Sequence, residues 1–129
     1  MIEVEKPNKL KFFIVDDDHF SRMLYRQHLL NLGYSNNVLF DNGFDCIKKL
    51  DLSPDVIFLD YDMQPLNGLD TMQIIKQYAP NIRLLIISGN EDKKIAEDAK
   101  KYGAYAFIKK GEKDLEMISD ILATIQHAA

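Results

Sequence analysis

The feature that most constrains the fold of this chain is an alternation, repeated five times, of short apolar runs with segments of helical hydrophobic spacing. The apolar runs are too short for helices, and their apolar residues are continuous rather than alternating with polar ones. Such runs are typical of strands that are buried on both faces of a parallel sheet. We therefore predict strands at residues 11–15, 38–40, 56–59, 84–87 and 106–108.

The segments between these strands place their apolar residues on one stripe of a helix. In the fourth segment Ile95, Ala99 and Tyr102 fall at i, i+4 and i+7, and Gly103 follows as a candidate helix terminator. In the last segment the stripe is formed by Leu115, Ile118, Leu122 and Ile125. Strands that alternate with helices predict an α/β protein, built as a three-layer sandwich of a five-stranded parallel sheet between five helices.

Length and composition limit the classes of function. With 129 residues and no linker or internal repeat, the chain is predicted to be a single domain over residues 1–129, without an output domain. No apolar run approaches the roughly 18 residues of a membrane span, and no signal peptide is evident. The net charge of −4 argues against nucleic-acid binding, and the lone Cys46 fits a reducing, cytoplasmic setting.

Polar side chains follow four of the predicted strands at the point where each strand ends. They are Asp16, Asp17, Asp18, Asp60, Asp62, Ser88, Lys109 and Lys110. In doubly wound folds ligands bind outside the carboxyl ends of the strands, so these side chains are expected to share one edge of the sheet. Clustered carboxylates repel one another, and Mg²⁺ relieves this because it prefers carboxylate, water and phosphate ligands. The pattern favours a phosphoryl site with a metal ion, although Asp18 is better interpreted as a helix N-cap.

Five stretches of the chain, taken together in order and spacing, resemble the response-regulator receiver family of two-component signalling. They are residues 12–17 (FFIVDD), 56–63 (VIFLDYDM), Gly68, 86–89 (IISG) and 103–110 (GAYAFIKK). The resemblance spans about residues 9–126. It implies a chemotaxis-receiver-like protein with a flavodoxin-like, doubly wound sheet of strand order 2-1-3-4-5. It also implies a signalling domain, not an enzyme, that assists its own phosphorylation and dephosphorylation.

The resemblance assigns the carboxylates to acceptor and metal roles. Asp60 would accept the phosphoryl group from a histidine kinase or a phosphotransfer protein. Asp17, Asp60 and the backbone carbonyl of Asp62 would bind Mg²⁺, and Asp16 would hold a metal-bound water molecule.

The remaining polar positions take roles in phosphoryl contact and switching. In the family the lysine lies seven residues after the glycine that opens the last strand, which selects Lys110, and strand alternation then turns Lys109 to the opposite face. Lys110 and Ser88 would contact the phosphoryl group, and the same count makes Phe107 the aromatic switch residue that works with Ser88. The output would be a contact of the surface formed by the fourth helix, fifth strand and fifth helix, with an unknown output protein or a second copy.

Three positions depart from the family pattern. Gln64 stands where a proline usually follows the methionine, with Pro65 one residue later, and Ser88 replaces the commoner threonine. Gly111 stands where the family often has a proline in a cis peptide. Because a non-proline cis bond costs about 2.5–4 kcal/mol, we predict a trans peptide between Lys110 and Gly111.

Two other functions remain open from the sequence. Asp60 and Asp62 after an apolar strand also resemble the first motif of haloacid-dehalogenase-type phosphatases, in which the two aspartates act as nucleophile and general acid. The third possibility is a receiver-like binding module that keeps the fold and does not use phosphorylation.

Overall fold

The computed structural model describes residues 9–90 and 92–128, the last two of these without their side chains. Five parallel strands form one sheet: β1 (Lys11–Val15), β2 (Asn36–Phe40), β3 (Val56–Asp60), β4 (Arg83–Ser88) and β5 (Ala106–Lys109). Their order in the sheet is β2-β1-β3-β4-β5. The predicted strand order and parallel pairing are therefore confirmed.

Five α-helices are described: four connect successive strands, and the fifth follows the last strand. They are α1 (His19–Asn31), α2 (Gly43–Lys48), α3 (Gly68–Tyr78), α4 (Lys93–Lys101) and α5 (Asp114–Ala128), and a short 3₁₀ turn at Leu50–Leu52 follows α2. In the part of the chain that is described, no helix combines the length and apolar composition needed to span a bilayer.

Two apolar clusters fill the space between the sheet and the helices. One packs α1 and α5 against one face of the sheet, and its buried residues include Phe12, Ile14, Tyr25, Leu29, Phe58, Ile118, Leu122 and Ile125. The other packs α2, α3 and α4 against the opposite face, with Phe13, Val15, Cys46, Ile57, Leu59, Met72, Ile75 and Ala99 among its members. Successive residues of β1 and β3 enter opposite clusters, as the pleat requires. The three-layer sandwich is thus confirmed.

The helix boundaries mostly follow the predicted signals. Asp18 is the N-cap of α1, because its carboxylate accepts a hydrogen bond from the backbone N–H of Ser21. Gly103 follows α4 with a φ of +100°, which is the left-handed conformation expected of a helix terminator. One prediction is wrong: Tyr102 is the C-cap residue of α4 and 43% exposed, so it does not extend the buried stripe of Ile95 and Ala99.

The strands extend beyond the predicted apolar runs by polar residues at their ends. Asp60, Ser88 and Lys109 are each the last residue of a strand. Only the apolar interior of each strand was visible in the hydrophobic pattern, and these three residues were predicted to come after it. The difference matters for the site, since a side chain within a strand has its direction fixed by the pleat.

Candidate functional site

The carboxyl ends of the strands bring the predicted polar residues to one edge of the sheet. Asp16 follows β1 directly, Asp60 ends β3, Ser88 ends β4 and Lys110 follows β5. The parallel register aligns these ends, because Asp60 pairs with Ile87 and the backbone N–H of Lys110 donates to the carbonyl oxygen of Ser88 at 2.9 Å. Residues far apart in the sequence are thereby fixed on a rigid frame.

Three carboxylates converge at this edge. Asp16, Asp17 and Asp60 each offer an oxygen atom, and these atoms lie within 4.8 Å of one another. Asp16 is 2% and Asp60 4% exposed, whereas Asp17 is open to solvent. Asp18 does not join the group, since its carboxylate binds the N–H and hydroxyl of Ser21. The predicted ligand residues are therefore together, and the predicted cap residue is separate from them.

Lys110 supplies a positive charge to the carboxylate cluster. Its Nζ donates a hydrogen bond to Asp16 Oδ2 at 3.1 Å and lies 3.1 Å from Asp60 Oδ1. The second contact is an ion pair without hydrogen-bond alignment, so the buried Oδ1 of Asp60 has no hydrogen-bond partner among the described residues. This oxygen is paired with the ammonium but accepts no aligned hydrogen bond, so it can take a further ligand.

Burial and charge crowding shift the protonation of the site. Burial, and then the charge of Asp16, raise the pKa of Asp60 to about 7, against the opposing effect of Lys110. Burial alone would lower the pKa of Lys110, but the negative charges of Asp60 and Asp16 outweigh it and raise the pKa. One ammonium thus faces three carboxylates. The residues fit a hard divalent cation, because the donor set consists of oxygens and one of them lacks a hydrogen bond.

Ser88 and Gly89 shape the side of the site formed by β4. Ser88 is fully buried, and its Oγ accepts a hydrogen bond from the backbone N–H of Asn90 at 3.0 Å. In the described part of the chain no acceptor takes the hydroxyl proton of Ser88, so this proton remains available to an incoming oxygen. A Cβ built on Gly89 would meet no atom within 4 Å, so this side of the strand end is open.

Asp62 lies in the loop that leads from β3 to α3. Together with Asp17 it lines a cleft of about 650 Å³, whose other walls are Tyr61, Met63, Gln64, Pro65 and Asn67. The described hydrogen bonds do not involve the carbonyl of Asp62, so its predicted role as a ligand stays a prediction.

The same loop is closed by its own backbone. The N–H of Gly68 donates to the carbonyl oxygen of Tyr61 at 2.9 Å, and the N–H of Met63 donates to the same oxygen at 3.0 Å. A Cβ on Gly68 would lie 2.6 Å from the backbone oxygen of Asp60, so only glycine fits there. The start of α3 therefore rests directly on the end of β3.

Phe107 and the loop after β5 agree with the predicted register. Phe107 is half-buried and packs against the cluster on the side of α2, α3 and α4, whereas Lys109 is exposed. With Ala96, Lys100, Ala104, Tyr105 and Ala106, Phe107 lines a cavity of about 400 Å³. The peptide between Lys110 and Gly111 is trans, which confirms the prediction.

Sequence reasoning missed two buried polar residues beside the site. The hydroxyl of Tyr25 in α1 donates to Oδ2 of Asp114, the first residue of α5, at 2.9 Å. Both side chains are buried. The one available signal was the position of Tyr25 on the apolar stripe of the first helix, where a buried hydroxyl requires a partner.

Comparisons with known proteins identify the family and agree with the fold. The family model described as response regulator receiver domain matches residues 12–122. The chemotaxis protein CheY of Thermotoga maritima is 31% identical over 101 residues, which cover 78% of this chain and 84% of that protein. Protein-glutamate methylesterase/protein-glutamine glutaminase 3 of Geobacter sulfurreducens is 29% identical over 125 residues, covering 92% of this chain and 31% of that protein. The solved response regulator domain of Thermotoga maritima CheB matches with a TM-score of 0.73 and 25% identity, over 93% of this chain and 95% of that one.

Proposed function

The chain belongs to the response regulator receiver domain family, and from that membership we propose that it accepts a phosphoryl group on Asp60 from a histidine kinase or a phosphotransfer protein. A receiver of this kind is a signalling domain. The observation that carries the proposal is the environment of Asp60 Oδ1, which is buried, lacks a hydrogen bond and lies 3.1 Å from the ammonium of Lys110.

The carboxylate cluster supports a role for Mg²⁺ in this reaction. Asp17 and Asp60 would bind the ion directly with the backbone carbonyl of Asp62, and Asp16 would bind one of its water molecules. When bound, the ion supplies positive charge that offsets the charge on the phosphoryl oxygens. Burial, and then the charge of Asp16, raise the pKa of Asp60, so a cation held by these residues would favour the ionised carboxylate.

The residues of the chain position the reactants and stabilise charge. An oxygen of the ionised Asp60 carboxylate forms a bond to phosphorus, while the bond from phosphorus to the donor's histidine nitrogen breaks. Lys110 then pairs with the phosphoryl oxygens, and the hydroxyl of Ser88 donates a hydrogen bond to one of them. The signal ends when water hydrolyses the acyl phosphate. This water reaches the site past Gly89, where no side chain blocks the approach. The domain in this way assists both its own phosphorylation and its dephosphorylation.

The signal is proposed to leave the site through Ser88 and Phe107. Ser88 ends β4, and Phe107 lies on the neighbouring β5 beside a cavity that is also lined by residues of α4. If the phosphoryl group draws the Ser88 hydroxyl toward Asp60, the ring of Phe107 can move inward. The surface of α4, β5 and α5 would then change shape for an output protein or for a second copy of the chain.

The family match bears on only one of the two alternative functions, the phosphatase and the binding module. The haloacid-dehalogenase-type phosphatase is left without support, because the receiver family model matches residues 12–122, which include Asp60 and Asp62. An attempt to phosphorylate the chain distinguishes the receiver from a binding module that does not use phosphorylation. A single domain over residues 1–129, a cytoplasmic setting and a lack of nucleic-acid binding stay predictions from the sequence.

The test is incubation of the full chain with a small acyl phosphate and Mg²⁺, read by intact mass. We expect the mass of one phosphoryl group, and none in the Asp60→Asn variant, which keeps the shape and removes the nucleophilic charge. Asp51→Asn is the matched control, since this aspartate is exposed in the 3₁₀ turn before β3, lies outside the site and should leave the gain intact. A gain that persists in Asp60→Asn would assign the acceptor elsewhere, and no gain in the unaltered chain would favour the binding module.

A further inference from the structure

The loop that carries Lys110 is bonded to the sheet at its start and continues through exposed residues. The backbone N–H of Lys110 donates to Ser88 in β4. Gly111 follows with a φ of +153°, a conformation that L side chains rarely adopt, and a Cβ there would meet no atom within 4 Å. Residues 111–113 are all exposed. The backbone N–H of Asp114 donates to the carbonyl oxygen of Gly111 at 3.3 Å, so the position of the residue directly after the lysine is tied to Asp114.

The next buried point along the chain is Asp114. Its side chain is 7% exposed, and its Oδ1 accepts a hydrogen bond from the N–H of Leu115 at 2.7 Å, at the start of α5. Its other oxygen, Oδ2, accepts the hydroxyl of Tyr25 at 2.9 Å. This bond joins residues 89 positions apart in the sequence, and it fixes the far end of the loop against α1.

Tyr25 also contacts the strand that carries the acceptor. Its ring packs edge-to-face with Phe58, with the ring centroids 6.3 Å apart, and Phe58 lies in β3 two residues before Asp60. A single side chain thus touches both the strand that ends in Asp60 and the residue that ends the lysine loop. Burial, and then the hydrogen bond to Asp114, raise the pKa of Tyr25, so its hydroxyl stays protonated and keeps donating to Asp114.

We propose that Tyr25 and Asp114 are positioning residues for Lys110, because their hydrogen bond fixes the loop end that sets where the ammonium lies relative to Asp60. The pair anchors Asp114, whose backbone N–H in turn holds the carbonyl oxygen of Gly111, the residue directly after the lysine. The effect on phosphorylation rests on the proposed function, whereas the effect on the location of the Lys110 ammonium does not.

The test uses Tyr25→Phe in the full chain, which removes one hydroxyl and keeps the ring. In the protein without phosphate donor, we expect the nuclear magnetic resonance signal of the Lys110 ammonium to shift and that of Lys113 to stay. With a small acyl phosphate and Mg²⁺, we expect the initial rate of phosphorylation to fall about tenfold, since small displacements of a charged group are costly. The affinity for Mg²⁺ should not change, because its proposed ligands come from β1 and β3 and the loops after them.

Tyr34→Phe is the matched control. Tyr34 is buried in the same apolar cluster, and the described residues offer its hydroxyl no hydrogen bond, so the ammonium signal and the rate should remain those of the unaltered chain. As a second variant pair, Asp114→Asn keeps an oxygen that accepts the Tyr25 hydroxyl and should lose less rate than Asp114→Ala.

The outcomes separate the inference from the proposed function. If the unaltered chain takes no phosphate, the proposed function fails, and the shift of the Lys110 signal in Tyr25→Phe still decides the inference. A variant that loses stability with an unchanged Lys110 signal would show a purely structural role and would overturn it. Equal effects of Tyr25→Phe and Tyr34→Phe would overturn it as well.

Discussion

Lys110 Nζ lies 3.1 Å from Asp60 Oδ1 without the alignment of a hydrogen bond, while its hydrogen bond goes to Asp16. The ammonium is thus close to Asp60, the proposed acceptor, and is held by the neighbouring carboxylate of Asp16. It can turn toward a phosphoryl oxygen without giving up a hydrogen bond to Asp60.

This geometry predicts unequal effects of the two adjacent lysines. Lys110→Met should slow phosphorylation by a small acyl phosphate by about 100-fold, because a preorganised charge at the developing negative charge is lost. Lys109→Met should have little effect, since Lys109 is exposed at the end of β5. Initial rates by intact mass measure both. A larger loss for Lys109→Met would shift the assigned register by one residue.

Variants of the neighbouring aspartates should change different properties: Mg²⁺ affinity for Asp17 and the free energy of unfolding for Asp18. Asp17→Ala should weaken Mg²⁺ binding by more than roughly tenfold, because a carboxylate of the cluster is removed. Asp18→Ala should leave Mg²⁺ binding nearly unchanged and lower the free energy of unfolding, since the N-cap of α1 is lost. Metal titration and denaturant unfolding of both variants provide the measurement. Equal loss of Mg²⁺ affinity in the two variants would contradict the assignment.

The raised pKa of Asp60 predicts how stability depends on pH in the absence of a divalent cation. Between the ordinary aspartate pKa of 3.8 and about 7, the folded state binds a proton that the unfolded state has lost. The contribution of Asp60 to the free energy of unfolding therefore falls as the pH rises through this window. We expect a change on the order of 1–2 kcal/mol, less than the full shift because Lys110 and solvent screen the site.

The control for this pH effect is Asp60→Asn, which cannot titrate. In buffer with a chelator, the stability of the variant relative to the unaltered chain should increase from pH 4 to pH 7, and Mg²⁺ should reduce the difference. A difference that stays constant over this range would mean that Asp60 ionises as freely in the folded chain as in the unfolded one.

The switch hypothesis predicts where a phosphoryl mimic changes the spectrum. With beryllium fluoride and Mg²⁺, amide shifts should change at Ser88, Tyr105 and Phe107 and along α4, as well as in the loop after β3. The same additions to Asp60→Asn should change none of them. Changes that remain confined to residues 61–67 would show that Phe107 is only a core aromatic residue.

The sequence predicted the apolar interior of each strand and not the polar residue at its end, for a physical reason. Burial on both faces makes the interior of each strand uniformly apolar, which a hydrophobic pattern detects. Asp60 and Ser88 end their strands as polar residues, so the pattern stopped before them. Tyr102 has the helical spacing of a buried residue, but α4 ends at the residue before it, and spacing predicts a face only while the helix continues.

The candidate site was predictable to the extent that topology alone places residues. Parallel strands bring their carboxyl ends together, so Asp16, Asp60 and Lys110 could be grouped from their positions after three strands. The hydrogen bond between Tyr25 and Asp114 could not be predicted in this way. It joins α1 and α5, which pack on the same face of the sheet, and no periodicity or motif connects residues 89 positions apart.

The closed loop between β3 and α3 has a consequence for protein engineering. Its first and last residues, Tyr61 and Gly68, bond to each other through the backbone, and Tyr61 is also bonded to β4. Within the loop, Met63 is buried in the core and Asn67 caps α3, so these two residues are fixed as well. Residues 64–66 lie between these fixed points and can be exchanged for the corresponding segment of another receiver, which offers a route to alter the lifetime of the proposed phosphorylated state or the partner of the domain while Asp60 stays in place.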